Sequence, residues 1–145
     1  MMRTLSFVAA LLLVVMHPAG AQRFVTLGLS DADVIATLKK LQKAVGAGDR
    51  ATVAGMVNYP LRINHGPDDH TTLRTRADLL KHYDEVFAPE VRRAVVAEKL
   101  TDVLGSTEGV PLGKGAVWLA STCDKGRPPS CHLGITSVNL KQPPR

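Results

Sequence analysis

The segment Ala116-Val117-Trp118-Leu119-Ala120-Ser121-Thr122 is apolar on both of its alternating faces, and this limits the fold more than any other stretch. Val117 and Leu119 point one way; Ala116, Trp118 and Ala120 point the other. Such a strand has to be covered on both sides, which places it in the interior of a sheet. Its expected neighbours lie on either side in sequence. Upstream, Val103 and Leu104 fall in a short strand, with Gly109 to Gly113 as the turn. Downstream, Leu133 and Ile135 share one face of a further strand, while His132, Gly134, Thr136 and Val138 take the other. Cys123 and Cys131 then stand across from each other at the open end of a hairpin.

Earlier in the chain the apolar spacing is mostly helical. Ser30 and Asp33 form a capping-box-like start, and Val34, Leu38, Leu41 and Val45 follow as one stripe. Gly46 and Gly48 end that helix, and Asp49 caps a short second one carrying Val53, Met56 and Val57. Tyr59 to Asn64 reads as a strand, with Pro60 near its beginning, where a missing donor is tolerated. His65-Gly66-Pro67-Asp68-Asp69-His70 is turn chemistry, and Thr71 to Leu73 closes a hairpin. Thr75 and Asp78 start a third helix with Leu79, Leu80, Tyr83 and Phe87 on one face, and Pro89 restarts it before Val91 and Val95. The fold class expected is therefore α+β: a helical hairpin and a third helix packed on a curved antiparallel sheet.

The first 21 residues read as a cleavable leader. Arg3 precedes an apolar run from Leu5 to Met16, His17 and Pro18 break it, and Ala19-Gly20-Ala21 supplies the small residues a signal peptidase needs. The run is shorter than the ~20 residues of a membrane span, so no stable membrane anchor is expected. Cleavage before Gln22 places the domain in the periplasm or outside the cell. It divides the 145 residues into leader 1–21, N-terminal extension 22–29, a single domain 30–140 and tail 141–145. An even pair of cysteines in such a compartment is expected to be a disulfide, Cys123 to Cys131.

The whole chain carries 18 Lys and Arg against 13 Asp and Glu. The cations are scattered (Lys39, Lys40, Lys43, Arg74, Arg76, Arg92, Arg93, Lys141, Arg145) and acids such as Asp49, Asp78 and Glu90 interrupt them. With few aromatic rings for bases to stack on, no nucleic-acid partner is expected. Neither a phosphate loop nor a dinucleotide fingerprint is present, so no cofactor is expected.

Taken in order, two helices, a strand hairpin, a helix and three antiparallel strands resemble the NTF2-like (cystatin-like α+β cone) superfamily in its small exported bacterial form. The resemblance is carried by Ala51 to Asn64, by Arg76-Ala77-Asp78-Leu79-Leu80 with Tyr83 and Phe87, and by Gly109, Gly113 and Trp118. It spans roughly residues 30–140 and rests on pattern and order. It implies a sheet wrapped around a helix to form a cone with an open end, and dimerisation through the sheet face. The superfamily hosts isomerases, dehydratases and bare binding domains, and fold alone does not choose among them.

Four residues are candidates to line a ligand pocket: Tyr59, Tyr83, Trp118 and His132. His132, Tyr83 and Tyr59 are also the candidates for acid–base chemistry. His132 shares a strand face with small side chains and so is the best candidate for an interior polar group. His65, Asp68, Asp69 and His70 combine imidazole and carboxylate as borderline metals prefer, but match no closed metal signature. His82 and Asp84 project away from the apolar stripe and read as solvated, and the acidity of Asp33 is accounted for by helix capping. The expected role is non-catalytic binding of a small apolar ligand or an envelope protein. One alternative is a cone-pocket isomerase or dehydratase using His132 or a carboxylate, which requires a pocket His or acid within hydrogen-bond reach of Tyr59 or Tyr83. Another is a protein inhibitor or immunity-type partner using the basic surface and the cysteine-bridged hairpin.

Overall fold

The structure is a computed structural model that describes residues 22–140; the leader and tail assigned above lie outside the described residues. Among the described residues, five α-helices pack with a five-stranded mixed sheet. In chain order they are α1 Asp31–Ala47, α2 Arg50–Gly55, β1 Val57–Asn64, β2 His70–Leu73, α3 Arg76–Lys81, α4 Tyr83–Val86, α5 Pro89–Ala97, β3 Val110–Leu112, β4 Val117–Cys123 and β5 Cys131–Asn139. A 3-10 turn, Val25–Leu27, precedes α1. The sheet order is β2-β1-β5-β4-β3, with β1 parallel to β5 and the other pairs antiparallel, so the sheet is mixed and not the antiparallel one expected, because β5 returns alongside β1 in the same direction.

Capping chemistry sets the helix starts. The Ser30 hydroxyl accepts from the Asp33 amide at 3.1 Å, and Asp49 does the same for Thr52 at 3.1 Å. Thr75 and Asp78 close a full reciprocal capping box. α1 buries Val34, Leu38, Leu41, Ala44 and Val45, close to the stripe its sequence shows. Gln42 pins α5 to α1 by donating from one amide nitrogen to the carbonyls of Val95 and Glu98 at 2.9 and 2.8 Å. One apolar cluster joins the helices to Leu61, Ile63, Val117, Leu119, Leu133, Ile135 and Val138 of the sheet. Apart from Tyr83, no residue with a polar or charged side chain among those described is buried.

Several expectations are corrected. Val103 and Leu104 form no strand: Val103 is buried in a loop, while Leu104 stands exposed. The edge strand β3 lies at Val110–Leu112, inside the segment read as a turn. Gly109 explains the displacement. Its φ of 130° is open to glycine, and a Cβ there would collide with the carbonyl oxygen of Leu119, so the chain enters β3 in tight contact with β4. Val57, assigned to the second helix, opens β1, because α2 ends at Gly55. Pro60 follows a cis bond, in the stretch where the β1–β5 register shifts, so no ladder donor is lost there. The third helix is interrupted at His82, and Leu80 is exposed while Val86 takes its place in the core.

Trp118 pairs with Ser137 but Leu119 with Ile135, so Thr136 is an extra residue in the ladder. This bulge reverses the alternation beyond it. Val138 therefore joins Leu133 and Ile135 on the core side, fully buried, instead of sharing a face with His132.

Cys123 and Cys131 are directly opposite in the β4–β5 ladder and are bonded to each other. Within the loop they close, the Asp124 carboxylate accepts the amides of Ser130 and Gly126 at 3.0 and 3.1 Å. These bonds hold its pKa below the usual carboxylate value. Replacing both cysteines with serine is expected to lower stability by about 2–3 kcal/mol on chain-entropy grounds. A urea midpoint measured against the oxidised wild type checks it. An unchanged midpoint would mean that the Asp124 turn orders the loop alone.

Candidate functional site

The four residues expected to line a pocket have separate surroundings. The Tyr59 hydroxyl donates to the Ala54 carbonyl at 3.0 Å, tying the start of β1 to α2. Tyr83 is 1% exposed, stacks on Phe87 at 5.0 Å between ring centres, and lies under the Arg50 guanidinium at 5.3 Å. Burial pushes the Tyr83 phenol up from its ordinary pKa, with Arg92 and Arg50 opposing. Its buried hydroxyl has no hydrogen-bond partner in the protein. Trp118 is half-buried, and its carbonyl accepts from Thr136. His132 is exposed rather than interior; its Nε2 lies 3.1 Å from Asn58 Oδ1. Asn58 lies across Gly134 and also donates to Thr122, and His132 borders a shallow cleft with Leu29 and with Asp33, Ala36 and Thr37 of α1.

The acid–base arrangement expected of a cone enzyme therefore has no counterpart at either tyrosine: Tyr59 hydrogen-bonds a main-chain carbonyl and Tyr83 bonds nothing. At the hairpin tip, the amides of His65 and Gly66 donate to the Asp69 carbonyl. Asp68, Asp69 and His70 are exposed. Among the described residues no three His, Cys, Asp or Glu side chains gather to hold a metal ion.

His65 instead turns toward a different group. A cleft of about 320 Å³ is bounded by the β1–β2 hairpin on one side and α4 on the other. Ile63, Leu73, Val86 and Leu140 give it aliphatic walls; His65, Thr71, His82 and Glu85 supply polar groups. The hairpin register pairs Ile63 with Thr71, and the Leu140 amide donates to the Asn64 carbonyl at 3.0 Å, bringing the end of the sheet alongside. His82 ends α3 and precedes α4.

Each imidazole has one nitrogen engaged. His65 Nε2 lies 3.0 Å from the Thr71 hydroxyl, and His82 Nδ1 lies 3.4 Å from both Glu85 oxygens. An ionised carboxylate only accepts, so the contact with Glu85 takes a proton on Nδ1 and does not involve Nε2. Hydrogen bonding with Thr75 holds the nearby Asp78 carboxyl below its ordinary pKa, and His82 adds to the effect. Aliphatic walls with a few convergent polar groups are the usual make-up of small-molecule sites, which run from about 300 to 1,000 Å³.

The sequence pattern presents His82 as solvated and does not single out Thr71 or Glu85. The pair His82-x-x-Glu85 has the spacing of neighbours on one helical face, and that local signal was available. That His65 lines the same cleft depends on how the hairpin lies beside α4. Comparison with known protein families, curated proteins and solved structures finds no match to this chain.

Proposed function

We propose that the chain is an exported, NTF2-like binding domain that holds a small ligand in the His65–His82 cleft and performs no chemistry on it. The carrying observation is the cleft itself: aliphatic walls of Ile63, Leu73, Val86 and Leu140 facing two imidazoles that each retain an uncommitted nitrogen. The matching ligand has an aliphatic or alicyclic body and one neutral polar head, an alcohol or ketone. Imidazole can donate to or accept from such a head, whereas Glu85 repels an ionised acid. The order of elements and the sheet order β2-β1-β5-β4-β3 support the superfamily reading. The disulfide supports an oxidising compartment, periplasmic or extracellular.

The test uses cyclohexanol, cyclohexanone and hexanoate as probes, read by the ring-proton NMR signals of His65 and His82. The two neutral probes are expected to shift both signals at millimolar concentration, with hexanoate weaker. Replacing either histidine with alanine is expected to weaken the neutral probes by about fivefold, the worth of one hydrogen bond. Unmoved imidazole signals with all three probes would overturn the assignment.

A further inference from the structure

We propose that the groove between the C-terminal end of α1 and α5 docks an acidic, amphipathic segment of a partner protein. The groove is separate from the His65–His82 cleft and has an open volume of about 750 Å³. Gly46, Ala47, Val96 and Ala97 give it apolar surface, and Arg92 and Arg93 stand on its α5 wall. α5 already buries Val91 and Val95, yet Val96 on another face remains 47% exposed. The small residues of α1 let a partner's backbone come close.

Charge selects the occupant. No Asp or Glu lines the groove. Lys43 is three and four residues before Gly46 and Ala47, and Lys39 lies one turn further back, so α1 carries cations toward the same end. The acids nearby are already engaged. Asp49 accepts from the Thr52 amide and hydroxyl at 3.1 and 2.7 Å, and Asp84 pairs with Arg50 at 2.8 Å. Glu90 reaches Arg93 at 3.4 Å with both side chains about three-quarters exposed, a contact that is readily exchanged. Arg92 forms no ion pair among the described residues. The complementary surface therefore pairs aliphatic side chains with carboxylates, which arginine can bind with both of its forked donors. A nucleic acid would bring charge, but the groove offers no aromatic ring for its bases.

The experiment follows backbone amides by NMR while adding a synthetic helical peptide with leucines at i, i+3, i+4 and i+7 and glutamates beside them. The amides of Ala47, Val96 and Ala97 are expected to shift, and those of His65 and His82 to stay in place. Val96→Asp and Arg92→Glu are each expected to weaken binding about tenfold, the scale of a central interface position. The same peptide with lysine for glutamate is expected to leave the groove unshifted. Lys39→Glu, remote from the core, serves as a third variant if either of the others fails to keep the wild-type spectrum.

The proposal is overturned if the groove amides do not move, or move equally with the lysine peptide. It is overturned in favour of a general anion site if an oligonucleotide or a glutamate peptide without leucines shifts them as strongly. It is overturned in favour of self-association if dilution of the protein alone reproduces the shifts.

Discussion

Phe24→Ala is expected to lower the folding stability by about 3–5 kcal/mol, the cost of removing a large buried ring and leaving its cavity. Phe24 is fully buried although it lies seven residues before the first helix. Both oxygens of Asp31 accept main-chain amides, from Arg23 at 3.0 Å and Phe24 at 3.1 Å. The Arg23 guanidinium reaches across to the carbonyls of Leu100, Thr101 and Val103 at 3.1, 3.1 and 3.4 Å. Gly105 lies so close that a Cβ there would stand 2.8 Å from the Phe24 ring. The segment 22–29 is therefore part of the core structure, and it fastens the loop before β3.

Against a typical stability of about 5–15 kcal/mol for a domain, the loss at Phe24 is large enough to populate the unfolded state. Urea denaturation measures it: the midpoint falls while the slope is retained. A drop below about 1 kcal/mol would show that the N-terminal segment peels away without cost to the rest. Phe24→Leu, which keeps most of the apolar volume, should recover much of the difference.

Tyr83 gives the second large effect, with opposite signs for two substitutions. Tyr83→Ala removes the ring stacked on Phe87 beneath Arg50 and is expected to cost about 3–5 kcal/mol. Tyr83→Phe keeps that packing and removes only a buried hydroxyl that bonds to nothing in the protein. Removing it relieves a desolvation penalty, so stability should stay level or rise by about 1 kcal/mol. The same urea experiment distinguishes the cases. A loss of 2 kcal/mol or more in Tyr83→Phe would show that the hydroxyl has a stabilising role, and would return Tyr83 to the candidates for ligand contact.

The stripe Val34, Leu38, Leu41 and Val45, the caps at Ser30, Asp49 and Thr75, and the restart at Pro89 all depend on neighbours within a turn or two, and all appear in the structure. The disulfide was legible from count and spacing. β3 was missed because its three residues lie between two glycines, and because what places them is the approach of Gly109 to Leu119 across the sheet. Strict alternation puts Val138 on the face of His132, whereas the bulge at Thr136, visible only in the pairing with β4, turns it to the core.

The candidate sites show the same division more sharply. His82 and Glu85 are local neighbours, so their contact could be anticipated, but His65 and Thr71 reach them through the fold of the β1–β2 hairpin against α4. The cations that look scattered along the chain behave likewise: Arg92 and Arg93 come up beside the end of α1 only when Gln42 and the apolar core bring α5 there.

By itself, then, the sequence determined the α+β class, most helix boundaries, the interior β4 strand and the cysteine bridge. These follow from short-range capping, from periodicity and from the need to bury both faces of one strand. Only the tertiary structure decided that Phe24 and Leu27 of segment 22–29 belong to the core, that β5 bulges at Thr136, and that His65 and His82 line the same aliphatic cleft. Each of these depends on contacts between residues far apart in the chain. Their energies come from close packing and from register across strands, which local periodicity does not encode.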